Sequence, residues 1–266
     1  GNVITESCSE CNETLGTATI TANGKTYNGE PVTATVQTTG VLTGSNIGIT
    51  YSQNGEELNE SAIRAGTYTA SIKLGDAVAK VNFTITPATL PNAVLSATGY
   101  TYNGQQQKPD VTVNGLTENT DYTVTYPQDV TNAGEKTVTI TGKGNYTGTV
   151  TKSYSIAKAD SVVTKAPQAA VNLVYNGKNQ NLVIAGTVTG GTLQYSLDGK
   201  TWAAKIPVGK AAGTYTVSYK VVGDANHKDI AVRTLAVTIA KGTAPAVDAL
   251  VQTHFYAYAT ANTVDL

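Results

Sequence analysis

The chain has 266 residues, including 26 Gly, 15 Tyr, 2 Phe, 1 Trp and no Met; 14% are charged and the formal net charge is -1. So neutral a surface has no electrostatic hold on a polyphosphate, which excludes nucleic acid as an expected partner. No apolar run approaches the ~20 residues that span a bilayer and no stretch reads as a signal peptide, so no membrane insertion is expected within this segment.

The length suits two or three small domains. Thr, Val, Tyr and Ile dominate while Leu-rich and Glu/Lys-rich helical stretches are missing, so the propensity balance is strongly β. The absence of Met, with Gly at position 1, sets up the expectation that the segment is cut from a longer chain.

Residues 1–16 carry Cys8 and Cys11 in Cys-Ser-Glu-Cys. A structural zinc site needs a second ligand pair, which the sequence lacks. A redox Cys-x-x-Cys belongs at a helix start after a strand, which this region does not resemble. The expectation is a local disulfide or an idle pair within a remnant of an upstream segment.

From residue 17 onward the chain repeats itself. Tyr-Asn-Gly occurs at Tyr27, Tyr102 and Tyr175, at an interval of about 75 residues. Ala-Gly follows in each copy, at Ala65-Gly66, Ala133-Gly134 and Ala212-Gly213. Each copy closes on a similar strand, in residues 81–88, 152–159 and 234–242. Three tandem modules are predicted: 17–88, 89–159 and 160–242, with 243–266 the truncated start of a downstream module or a tail. Alternation is plain at Tyr68, Ala70, Ile72 and Leu74, at Tyr122, Val124 and Tyr126, and at Tyr215, Val217, Tyr219 and Val221. That period of two marks strands with one buried and one wet face. Many short strands between Gly and Asn turn signals predict an all-β fold, one small β-sandwich per module in an elongated arrangement.

The Tyr-Asn-Gly triplets are read as tight turns in which both Asn and Gly take positive φ, with the Tyr ring packing under the sheet edge. Copies one and three share a further hairpin that copy two lacks. With Asn54-Gly55 and Asp198-Gly199 as two-residue turns, Tyr51 faces Leu58 and Tyr195 faces Trp202. Trp202 then fills the slot of Leu58, a core or cross-strand role in preference to a sugar-stacking platform.

Candidate chemistry is sparse. His227 stands where copy two has Tyr146, in a turn, and His254 has no acidic neighbour in sequence, so a hydrolytic triad is not expected. Glu56-Glu57 flank a hairpin tip, and Asp224 and Asp229 lack the ligand density of a calcium loop. The copies share no equivalent acid that would supply a catalytic carboxylate pair. No catalytic residue, metal site or cofactor is predicted. Tyr146, Tyr256 and Tyr258 are the candidates for a ligand platform.

The stretch from Tyr100 to Ala159 resembles the tandem Ig-like repeats of large bacterial surface proteins, of the MBG/YDG type. The resemblance rests on Tyr102-Asn103-Gly104, Asp121-Tyr122-Thr123-Val124, Asn132-Ala133-Gly134 and Gly142-Lys143-Gly144-Asn145-Tyr146, and it extends over roughly residues 17 to 242. It implies an extracellular stalk or adhesin segment, cell-surface or secreted, and supplies no catalytic residues. An intramolecular Lys–Asn isopeptide bond, a feature of other bacterial Ig-like domains, is not expected. The function expected is that of a monomeric, non-catalytic spacer that presents other domains away from the cell. The alternative is a binding module for surface glycans or a host protein.

Overall fold

The computed structural model describes residues 1–243. Strands account for nearly all its regular structure, and the tandem Ig-like β-sandwich expected from the alternation is what the chain forms. The Tyr27, Tyr102 and Tyr175 triplets each follow a short edge strand, Lys25–Thr26, Gly99–Thr101 or Leu173–Val174. Each edge strand lies beside the last strand of its module: Ala77–Thr86, Thr149–Ala157 or Ile230–Ala240. Next come Gly66–Leu74, Gly134–Gly142 and Gly213–Gly223, then Ile49–Gln53, Tyr122–Thr125 and Gly191–Ser196. The strand order is therefore the same in all three copies. The long central pairs are antiparallel, as in Gly66↔Ile85 through Leu74↔Ala77.

Burial follows the sequence pattern. In Gly66–Leu74 the side chains of Tyr68, Ala70 and Ile72 turn inward, against Ala79, Phe83 and Ile85 of the neighbouring strand and Ala18 and Ile20 of the opposing sheet. In the second module Tyr122, Val138, Ile140, Tyr154 and Ile156 are buried. In the third, Tyr195, Val217, Tyr219, Val221, Val237 and Ile239 form the core. Each fully buried aliphatic side chain contributes about 1.5–3 kcal/mol relative to exposure.

By packing, the described residues divide into two compact units: Gly1–Tyr100 with Gln105–Ile156, and Thr101–Gly104 with those from Ala157 onward. The first two modules share one unit, while the Tyr102 triplet packs within the unit of the third.

Residues 1–16 are not a detached remnant. Val3–Ser7 pairs antiparallel with Thr14–Thr21, which pairs in turn with Thr35–Thr38. Ile4 is 3% exposed within the first module's core, so the segment supplies a sheet that the module needs. Cys8 and Cys11 form a disulfide in the connection between those two strands. The Cys8 N–H donates to Glu13 O at 2.8 Å and Asn12 takes a left-handed φ of 57°.

Two turn expectations need correction. Gly29, Gly104 and Gly177 take φ of 81°, 78° and 75°, but the asparagines before them do not take positive φ. Instead Asn28 Oδ1 accepts the Glu30 N–H at 3.1 Å and Asn176 Oδ1 accepts the Lys178 N–H at 3.0 Å. The Asn side chain closes the turn and only the Gly is left-handed.

The copy-one hairpin matches its reading, with φ of 52° at Asn54, 90° at Gly55, and Tyr51 opposite Leu58. The copy-three hairpin does not. Asp198 Oδ1 accepts the amides of Thr201 at 2.7 Å and Lys200 at 2.8 Å, which lengthens the loop. Tyr195 consequently faces Ala203, not Trp202. Trp202 is half-buried, with Lys220 Nζ 4.4 Å from its ring centroid.

Candidate functional site

Two polar clusters bring titratable side chains together. His227 Nδ1 lies 2.7 Å from Asp224 Oδ1. The Asp224 carboxyl is held below its usual range by that bond first and by the Asn226 amide next. The pair has the form of a base and its orienting acid, yet the imidazole ring meets the Tyr102 ring edge-on, with centroids 5.3 Å apart. Lys136 is buried, and its ammonium bonds Asp129 Oδ2 at 3.0 Å. Asp129 also accepts the amides of Asn132 and Thr131 at 3.0 Å each. Those amides first, and Lys136 after them, hold its carboxyl well below the usual range.

Among the described residues no three His, Cys, Asp or Glu side chains gather as metal ligands. The concavities bordered by Leu58–Arg64 and by Tyr195–Val208 are lined by neither His nor Cys. No described helix is long and apolar enough to cross a membrane.

The arrangement that recurs is at the linkers. Ala88 and Thr89, leading into the second module, pair in parallel with Tyr146 and Thr147. The Ala88 N–H donates to Asn145 O at 2.9 Å and the Leu90 N–H to Thr147 O at 2.7 Å. Asn145 also reaches the first module: its Oδ1 accepts the Ala65 N–H at 2.8 Å. Tyr146 then sets its ring edge-on to that of Tyr27, with centroids 5.6 Å apart and planes at 81°. Loss of water raises the Tyr146 phenol above its ordinary value, with smaller contributions from Tyr27 and Asp121.

The second linker repeats the device. Ala159 and Asp160 pair in parallel with His227 and Lys228. The Ala159 N–H donates to Asn226 O at 3.0 Å. The His227 ring takes the place of Tyr146 against Tyr102. Lys228 Nζ adds an ion pair with Asp160 at 2.9 Å. Each linker is thereby a strand in its own right, stitched to a turn whose Asn-aromatic tip meets a Tyr-Asn-Gly tyrosine.

Of the residues proposed as a ligand platform, Tyr146 is engaged with Tyr27 in this way, whereas Tyr256 and Tyr258 lie outside the described residues, as does His254. Sequence reasoning placed Tyr27 and Tyr102 in turns and missed their ring partners. The signal that could have found them is the shared Asn-Tyr and Asn-His at corresponding places in copies two and three.

No protein-family model matches the chain, and no curated protein matches it. Solved structures do. It is similar to the titin three-domain fragment I67–I69, at 12% identity over 84% of this chain and 96% of that one, TM-score 0.28. It is similar to extracellular domains 3–5 of Drosophila OTK, at 9% identity over 84% and 95%, TM-score 0.29. It is also similar to immunoglobulin domains 1–4 of Sidekick-1, at 9% identity over 85% and 76%, TM-score 0.32.

Proposed function

We propose that this segment is a non-catalytic spacer of a bacterial cell-surface or secreted adhesin-like protein, of the MBG/YDG repeat type, acting to hold other domains away from the cell. The observation that carries the reading is the pairing of both linkers. A tether that only connects has no need of ladder hydrogen bonds and a ring contact at each junction, whereas a spacer that must keep its reach does. Pro87 and Pro91, which flank the first paired linker, stiffen the same stretch.

Small-angle X-ray scattering tests it. Three modules end to end give a rod on the order of 100 Å, with a radius of gyration of roughly 30 Å. A compact body of this length has about 18 Å, and that value overturns the spacer reading. A glycan array addresses the alternative of a binding module: the spacer shows no saturable signal, while binding lost on Tyr146→Ala makes the segment a carbohydrate reader.

A further inference from the structure

The third module carries the same junction face as the first, and no described module covers it. The Tyr27, Tyr102 and Tyr175 amides all donate to corresponding carbonyls, Thr86, Ala157 and Ala240, at 2.8, 2.8 and 2.9 Å. The adjacent loop is matched too: Tyr68 Oη donates to Arg64 O and Tyr215 Oη to Ala211 O, at 2.8 and 2.9 Å. Ala65 and Ala212 thus occupy one position, each followed by a glycine of φ near-extended on the positive side, 158° at Gly66 and 151° at Gly213. Tyr175 is nevertheless 48% exposed, and with Ala211, Ala212, Lys241 and Gly242 it lines a shallow, mostly apolar hollow. The Ala212 amide has no acceptor among the described residues.

We propose that this hollow is a docking socket for one further β-sandwich module that presents an asparagine followed by an aromatic residue in the turn before its last strand. The Asn side chain accepts from Ala212, as Asn145 accepts from Ala65. The aromatic ring meets Tyr175 edge-on, as Tyr146 meets Tyr27 and His227 meets Tyr102. The parallel pair of the first linker is made by Ala88 and Thr89 alone. Gly242 and Thr243 stand in sequence where the first linker has those two residues.

A second copy of this chain does not supply the plug. Its Asn145-Tyr146 and Asn226-His227 turns already serve its own linkers. The corresponding turn of its first module, between Leu74 and Ala77, is Gly75-Asp76, with neither Asn nor an aromatic ring. The socket reading rests on the spacer reading, because it takes the modules to be stacked in series.

The test is an in-frame duplication: residues 88–158 inserted between Lys241 and Gly242 of the full chain, with hydrogen exchange read at the Ala212 amide. A second version inserts residues 159–241 instead, carrying the Asn226-His227 turn. Protection of Ala212 rises at least about tenfold in the extended chain and returns to its starting value with Tyr175→Ala. Ala212 exchange unchanged in either extended chain, while the core amides of the inserted module are protected, overturns the socket. Scattering from the same samples keeps the two readings apart: added length without protection sinks the socket alone, and a compact particle sinks the spacer. Sedimentation of the unextended chain supplies one more outcome: it stays monomeric, and a dimer abolished by Tyr175→Ala makes the occupant a second copy and defeats the proposal.

Discussion

Asp129 and Asp198 each close a loop by drawing backbone amides onto one carboxylate. Asp198 gathers the Thr201 and Lys200 amides and the hydroxyls of Ser196 and Thr201, which depress its pKa in that order of importance for the first two. Asp129 gathers Asn132, Thr131 and the buried Lys136. A carboxyl whose pKa is lower folded than unfolded stabilises the fold above its unfolded value, and that contribution is lost as pH falls toward the folded value. Stability is therefore expected to hold flat from pH 7 to 5 and to fall below about pH 4, the ordinary Asp range. Denaturant melts across that window check it: Asp129→Asn and Asp198→Asn flatten the acid limb, and an unchanged slope in the double variant contradicts the assignment. The Asp129 loop carried no signal in the sequence, and the Asp198 loop was legible only as a turn. Asp198-Gly199 reads as a two-residue hairpin, and only the competition from Ser196 and two nearby amides explains why the loop grew and moved Trp202 off its expected partner.

At the scale of elements, alternation of apolar and polar residues was enough to place the central strands, because each has one face in a core and one in water. The repeat gave three equivalent modules, and the strand order within them comes from the structure. The pairing of the linkers was not legible, since a two-residue parallel ladder leaves no periodic trace. The first strand was hidden for a related reason: Val3–Ser7 buries only Ile4, so its pattern is too thin to announce a strand. The Tyr27–Tyr146 contact joins residues more than a hundred positions apart, and nothing local to either encodes it. A double-mutant cycle measures what it is worth. Tyr27→Ala and Tyr146→Ala should each lower the unfolding free energy of the first unit, with a coupling of about 0.5–1.5 kcal/mol between them. Strictly additive effects would mean that the rings merely lie near one another.

At the scale of the whole molecule, side-chain pairing among the described residues rests on hydroxyls more than on charge. Thr17 pairs with Thr39, Thr21 with Thr35, Thr50 with Ser71, Thr164 with Thr187 and Thr214 with Thr238 across strands on exposed faces. Ion pairs among the described residues are Lys136–Asp129, His227–Asp224 and Lys228–Asp160. Screening by salt acts on charges and leaves hydroxyl pairs alone. The melting temperature is thus expected to shift by no more than about 2 °C between 0.05 and 0.5 M NaCl, a range over which the screening length falls severalfold; calorimetry showing a larger drop would assign the fold to electrostatics. The stitched linker between the first two modules also has a mechanical corollary. Pulled from its ends, the chain meets there a two-residue ladder, the Asn145–Ala65 bond and one ring contact, against a nine-residue strand paired along its length inside the module. The weaker seam parts first and pays out slack of roughly 3.4 Å per freed residue. A tug is then expected to lengthen the segment slightly at that seam while its sandwiches stay closed.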